Sequence, residues 1–312
     1  MDGRLQVFAG NGNRKLAEDI MATLEAPLGR AIVDCWRNGE TRVKLDENVR
    51  GSDVFIIQAL ADPVNHHLVE LLIMIDAVRR SSAARITAVI PYFAYAKQEK
   101  KTGGREPISA KLVANLLVTA GVDRVLTLDL HAPAIEGFFD IPVDHLRATP
   151  LLASAFRRMA VEDIVAVSPD AGGVGRAEDF RVRSGGSLAI ISKKRPAPDE
   201  AEVIEMVGDV AGKTAVIIDD MISTGGTLVQ AADMLIERGA ARVYAAAVHG
   251  IFAGDAAELI AKSSIEKVIV TDTLPLHTAA QNGSIEILTV APLLAEAITR
   301  IHKDLSISAL FH

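Results

Sequence analysis

The segment Ala-Val-Ile-Ile-Asp-Asp-Met-Ile-Ser-Thr-Gly-Gly-Thr at residues 215–227 leaves this chain few ways to fold. Its apolar, β-branched start reads as a strand buried on both faces. Two carboxylates, Asp219 and Asp220, close that strand, and a Ser/Thr/Gly-rich turn then opens a helix. Backbone N–H groups of Thr224, Gly225, Gly226 and Thr227 at a helix N-terminus can cradle a phosphate. Glycine lets the backbone approach it closely, and Ser223, Thr224 and Thr227 add hydroxyl donors. Asp219 and Asp220 repel phosphate, so they suit ribose hydroxyls or a Mg²⁺ ion. A Ser or Thr here could simply cap the helix. A cap, however, needs no pair of carboxylates at the end of a buried strand. The combination predicts a sugar-phosphate site.

The rest of the chain repeats this strand–helix alternation. Strands are predicted at 54–58, 86–91, 124–128, 164–168, 187–192, 215–219, 242–248 and 267–271. Helices are predicted at 14–24, 65–81, 109–120, 150–159, 227–238, 254–262 and 291–302. Leu112, Leu116 and Leu117 read as the core-facing stripe of the third helix. The pattern predicts an α/β fold with parallel sheets covered by helices. A length of 312 residues suits two domains. Each half runs through the same order: a strand into a loop, a strand into a basic segment, a strand into acidic residues. A duplicated α/β unit divided within 142–150 accounts for that order.

Composition narrows the function. Acidic residues exceed basic ones by 40 to 33, a net charge of -7, which disfavours phosphate-neutralising contact with nucleic acid. Aromatic residues at 4% offer few base-stacking platforms. The single cysteine, Cys35, excludes an internal disulfide framework and a cysteine-built zinc site. The first residues form no apolar secretory segment, and no apolar run reaches the ~18 residues of a membrane span. The expectation is a cytoplasmic protein acting on small molecules, away from membranes. The paired His66 and His67 are expected on the surface.

Residues 215–227 resemble the phosphoribosyl-binding fingerprint shared by type I phosphoribosyltransferases and phosphoribosyl pyrophosphate synthetases. Other segments resemble the synthetases in particular: 47–58, 85–101, 122–146, 167–177, Lys-Lys-Arg-Pro at 193–196, 237–245 and 306–311. The chain is thus similar, almost end to end, to the ribose-phosphate pyrophosphokinase family. The resemblance implies two tandem type I phosphoribosyltransferase-like domains, each a mostly parallel sheet flanked by helices. Residues 1–146 would form the ATP side, joined by the tail 303–312, and residues 147–302 the ribose 5-phosphate side. The implied reaction moves the diphosphate of ATP to the anomeric hydroxyl of ribose 5-phosphate, giving 5-phosphoribosyl 1-diphosphate and AMP.

Residue roles follow from the same resemblance. His131 and Asp170 would hold Mg²⁺ on the ATP phosphates. Lys193 and Arg195 would stabilise the transition state from a mobile lid, Arg195 also meeting the sugar phosphate. Trp36, Asn38, Gly39 and Glu40 would receive the adenine with Lys97, Gln98 and Glu99. Asp219, Asp220, Ser223, Thr224, Gly225, Gly226 and Thr227 would hold ribose 5-phosphate. Arg50, Arg80, Ser81, Ser306 and Ser308 fall at positions where phosphate and ADP act as effectors in a homohexamer. The chain departs from the common pattern at both substrates. The family usually has Phe-Ser-Asp where this chain has Trp36-Arg37-Asn38, and Arg-Gln-Asp in place of Lys97-Gln98-Glu99. It often has aspartate where this chain has Ser192 and Ser223. Taken singly, His131 could be a structural histidine, Asp170 a turn residue and the 193–198 segment a solvated basic loop. A non-catalytic paralogue acting as a regulatory subunit is the alternative. Such a chain would tend to lose the lid and metal residues that Lys193, Arg195, His131 and Asp170 retain here. A phosphoribosyltransferase would need only one such domain.

Overall fold

A computed structural model describes residues 3–194, 203–275 and 283–310. It divides into two compact units. The first holds the chain up to Arg147, Thr273–Pro275 and the residues from Thr289 onward; the second holds the remainder.

In the first unit β1 (Leu5–Ala9) leads to α1 (Arg14–Thr23), then to a hairpin of β2 (Ala31–Cys35) and β3 (Thr41–Leu45). There follow β4 (Asp53–Ile57), α2 (Val64–Arg80), β5 (Arg85–Ile90), α3 (Ser109–Ala120), β6 (Arg124–Leu128) and β7 (Val143–Leu146). The main sheet has the order β1-β4-β5-β6-β7 with every pairing parallel. β2 and β3 form a separate antiparallel pair. All five residues of β4 are buried, as a strand covered on both faces requires.

The core face of α3 differs from the expected stripe. Leu112 and Leu116 are exposed, at 58% and 37%, while Ala110, Val113, Ala114 and Leu117 are buried. Each residue turns the helix by about 100°. The small residues at 110, 113 and 114 therefore share one face with Leu117, and Leu112 and Leu116 line up with Ile108 on another. Tight packing of the helix on the sheet selects the small-residue face. Gly121, at φ +111, ends the helix in a conformation that favours glycine.

The second unit contains α4 (Thr149–Arg158), β8 (Ile164–Ser168), α5 (Val174–Ser184), β9 (Ser187–Lys194), β10 (Val203–Val207) and β11 (Thr214–Ile222). It continues with α6 (Gly226–Glu237), β12 (Arg242–Gly250), α7 (Ala256–Ala261), β13 (Ile265–Thr271) and β14 (Ile285–Leu288). Its sheet has the order β10-β9-β8-β11-β12-β13-β14, parallel except for the antiparallel β10–β9 pair.

The last helix, α8 (Ala291–His302), belongs to the first unit rather than to the C-terminal half expected to run through 302. It packs against α1 and buries Leu294, Ala295, Ala297, Ile298 and Ile301. Its end is pinned through polar groups. Arg85 forks onto Asp53 with bonds of 2.8 and 2.7 Å and also donates to the Ile301 carbonyl at 2.8 Å. His302 Nδ1 lies 2.8 Å from the same Asp53 carboxylate. Among the described residues no helix is long and apolar enough to cross a membrane.

Candidate active site

Residues 97–99 and 131 in the first unit, and Asp170 and residues 223–227 in the second, follow the carboxyl ends of parallel strands, where open α/β sheets bind ligands. In the second unit β11 runs on past its expected end at 219, because β12 extends beside it: Met221 pairs with His249 and Ile222 with Gly250. Asp219 and Asp220 therefore lie inside the ladder, with Asp220 only 2% exposed. Arg176 of α5 reaches both, at 3.5 and 3.7 Å. Burial, the side chain of Asp220 and its charge push the Asp219 carboxyl up to about 7 against the pull of Arg176.

The turn after β11 starts α6 with Gly225 at φ +77 as N-cap, and no side chain caps the helix. Its leading N–H groups are left for an outside acceptor. Thr224 and Thr227 are exposed at this end, Gly225 is buried, and Ser223 and Gly226 are intermediate. Fingerprint residues 219–227 are thus gathered in one place.

Asp170 sits exposed just beyond β8. Its Oδ1 accepts the Gly173 N–H at 2.8 Å, and the Ser168 hydroxyl donates to its carbonyl at 2.7 Å. A Cβ at Gly173 would stand 2.9 Å from the Ser168 hydroxyl, so the tight turn that aims Asp170 needs glycine there. The basic segment begins on a hairpin rather than a plain loop. β9 continues beyond 192, and Lys193 pairs through its backbone with Ile204 of β10. Arg195 lies outside the described residues.

In the first unit the residues expected to receive adenine come from separate segments. Trp36 to Glu40 form the tip of the β2–β3 hairpin, closed by bonds from Trp36 N to Glu40 O and from Gly39 N to Trp36 O, with Gly39 at φ +89. The sole tryptophan is 53% exposed, unusual for so large an apolar group. The Arg42 guanidinium lies over its ring at 4.8 Å and is itself held by Asp34. Such a ring suits stacking on a purine. Asn38 Oδ1 accepts the Glu40 N–H at 3.2 Å.

Lys97 and Gln98 lie in a single 3-10 turn, Ala96–Gln98, and Ser109 donates to Gln98 Oε1. Glu99 is paired with Lys100 at 3.0 Å. Burial raises its pKa, but Lys100, its own backbone N–H and the charge of His131 outweigh this and hold it below the usual carboxylate value. Glu99 and His131 are thus brought within electrostatic reach of each other.

His131 follows Asp129 and Leu130, and that turn rests on a residue not anticipated from the sequence. Buried His145 accepts the Leu130 N–H at Nε2 (2.7 Å) while Nδ1 meets Glu136. Burial and the charge of Arg147 press its pKa down to about 4 despite Glu136. The neutral imidazole can therefore act as an acceptor at neutral pH. Arg176 was likewise unanticipated. His67, expected on the surface, is buried and bonded at Nδ1 to the Ala61 carbonyl at 2.8 Å.

Of the residues expected to meet phosphate and ADP, Arg50, Arg80 and Ser81 lie at the end of the first sheet where its strands begin. Arg50 precedes Gly51, whose N–H meets the Ser82 carbonyl, one residue beyond Ser81. Arg80 is paired with Asp76, and Ser81 bonds back to the Ala77 carbonyl. Ser306 accepts the Ser308 N–H at its hydroxyl, and its carbonyl accepts a bond from Arg300 of the pinned helix α8.

Comparison with known proteins covers nearly the whole chain. Residues 5–121 match the N-terminal domain of ribose phosphate pyrophosphokinase, and residues 174–312 match the phosphoribosyl synthetase-associated domain. Ribose-phosphate pyrophosphokinase of Bacillus caldolyticus is 51% identical over 308 residues, covering 99% of this chain and 98% of the relative. That of Aquifex aeolicus is 49% identical over 308 residues, covering 98% and 99%. The crystal structure of phosphoribosylpyrophosphate synthetase from Mycobacterium smegmatis superposes with a TM-score of 0.92 at 44% identity, covering 96% of this chain and 99% of that one.

Proposed function

Because the chain belongs to the ribose-phosphate pyrophosphokinase family, we propose that it transfers the diphosphate of ATP to the anomeric hydroxyl of ribose 5-phosphate. The products are 5-phosphoribosyl 1-diphosphate, for nucleotide biosynthesis, and AMP. The anomeric oxygen attacks the β-phosphorus. A new O–P bond forms there, the bond to the oxygen shared with the α-phosphate breaks, and the hydroxyl proton is lost. The observation that carries this reading is the β11–α6 junction: a carboxylate pair under Arg176, followed at once by an uncapped helix N-terminus.

The 5-phosphate is proposed to bind the N–H groups and hydroxyls of residues 223–227. Asp219 and Asp220 accept from the ribose hydroxyls, which orients the anomeric oxygen. Lys193 and Arg195 meet the charge of the diphosphate as it transfers. Trp36 stacks on the adenine, with Asn38, Gly39, Glu40, Lys97, Gln98 and Glu99 around it.

His131 and Asp170 are the proposed holders of Mg²⁺. Bound there, the ion would neutralise phosphate charge. One imidazole and one carboxylate suit an ion that keeps its waters and draws other ligands from substrate phosphates. The working form is proposed to be a cytoplasmic homohexamer, with phosphate and ADP acting through Arg50, Arg80, Ser81, Ser306 and Ser308.

A phosphorus NMR time course with protein, Mg²⁺ and ATP, with and without ribose 5-phosphate, tests the reading. AMP and a sugar 1-diphosphate resonance should appear only with the sugar. Equal ATP loss in both tubes, or none in either, would overturn it.

A further inference from the structure

A buried carboxylate that the reaction does not use lies on the core face of α2. Glu70 is 0% exposed, and its neighbours on that face include Leu71, Met74, Ile75 and Val78. An ionised group is costly to bury unless hydrogen bonds replace its water, and here they do. Glu70 Oε1 accepts the Asn11 N–H at 2.7 Å and Gln58 Nε2 at 2.8 Å. Glu70 Oε2 accepts Asn11 Nδ2 at 2.7 Å. Gln58, itself 1% exposed, accepts the Gly12 N–H at 2.9 Å and donates to the His67 carbonyl at 3.1 Å. The loop after β1 is pressed so closely here that a Cβ at Gly10 would stand 2.4 Å from Gln58 Oε1.

The network leads to the adenine-side hairpin. Asn11 Nδ2 also donates to the Val33 carbonyl of β2, at 3.0 Å. β2 and β3 share no ladder with the main sheet. The apolar contacts of Ala31, Val33, Val43 and Leu45 with the core are non-directional. Polar contacts also reach the hairpin at its base, where the Gly29 N–H meets the Val7 carbonyl at 2.7 Å, and at Cys35, whose Sγ lies 3.9 Å from His66 Nε2; the Asn11–Val33 bond reaches the middle of β2. The Asn11–Val33 bond is directional, and Val33 is three residues before Trp36. At ~3.3 Å per residue, Val33 stands about 10 Å along the strand from the hairpin tip.

We propose that Glu70 is a positioning residue: through Asn11 it sets the placement of β2, and so of Trp36 and the tip that receives ATP. The proposal rests on the reading of that tip as the adenine side. Glu70→Gln keeps the shape but turns an N–H₂ toward the Asn11 amide, setting donor against donor. Asn11→Ala removes the link to Val33 and leaves the β4–α2 packing in place.

The full-length protein should be assayed for KM of each substrate and for kcat, and acrylamide quenching of Trp36 should be measured without nucleotide. Because Trp36 is the only tryptophan, the quenching reports the tip alone. In both variants the KM for ATP should rise about tenfold, with kcat and the KM for ribose 5-phosphate within about twofold of the parent. Quenching should rise as well. Unchanged quenching in a folded variant overturns the positioning role, whatever the kinetics. Increased quenching with an unchanged KM for ATP keeps the tether and overturns the adenine reading of the tip. If Glu70→Gln fails to fold, Asn11→Ala decides between these outcomes.

Discussion

The proposed ribose side and the proposed adenine side are assembled in opposite ways. In the second unit Asp219 to Thr227 are consecutive, so one strand, one turn and one helix start place the whole fingerprint. In the first unit Trp36 to Glu40, Lys97 to Glu99 and His131 come from three separate loops. The hairpin is bonded to exposed Asn11, itself held by buried Glu70, and the turn at His131 is bonded to buried His145. A site encoded in consecutive residues should yield to changes at the contacting side chains. A dispersed one should also yield to changes at its buried supports.

The largest expected effect tests the contacting side. Lys193→Ala should lower kcat on the order of 100-fold or more without altering thermal unfolding, because its charge acts on the transition state. A parental kcat would remove Lys193 from the mechanism.

Acid should separate the two units. The folded pKa of His145, about 4, lies below its usual 6.5. The unfolded chain therefore takes up that proton first, and stability falls as pH drops from about 6.5 to about 4, by on the order of 2 kcal/mol. Asp219 works in the opposite sense. Its folded pKa of about 7 exceeds the usual 3.8, so its contribution grows as pH falls through that window. Hydrogen exchange should therefore show residues 124–147 losing protection between about pH 7 and pH 5 before residues 214–222 do. Equal loss in both would break the comparison.

Substrate constants sharpen it further. Asp220→Asn should raise the KM for ribose 5-phosphate about tenfold and leave that for ATP alone, while Trp36→Ala should do the reverse, about fivefold. Crossed effects in steady-state kinetics would show that the two sides are not independent. The smallest effect belongs to Asp170→Asn, which should raise the Mg²⁺ concentration for half-maximal rate about threefold. An unchanged Mg²⁺ titration would count against ligation there.

The strands at 124–128 and 164–168 and the helices at 109–120 and 291–302 coincide with what periodicity predicts. These are segments whose own residues carry a strong pattern. Elements that escaped notice lack one. α5 is rich in charge and buries only Ala177 and Phe180, so it shows no apolar stripe. β2 and β3 are short and only half-buried, and they become strands by pairing with each other rather than with the main sheet. The exposed Trp36 and the outward Leu112 contradict simple hydrophobic ranking: Trp36 stands at a hairpin tip, and on α3 the face carrying Ala110, Val113, Ala114 and Leu117 turned inward instead.

The candidate site divides along the same line. Asp219, Asp220 and the turn at 223–227 were legible because strand end, turn and helix start follow one another in sequence. Arg176, His145 and Glu70 were not. An arginine, a histidine and a glutamate carry no local mark of their partners, which lie 43, 15 and 59 residues away along the chain.

The sequence alone determined the alternation of strands and helices, the phosphate-binding turn and, through motifs spread along its length, the family. Those properties depend on residues close together in the chain, where propensity and backbone geometry act directly. Tertiary structure decided which face of α3 turned inward, that α8 joined the first unit, and that Glu70 and His145 bond to Asn11 and Leu130. Those outcomes depend on packing volume and on hydrogen bonds between distant residues, which exist only once the chain has closed on itself.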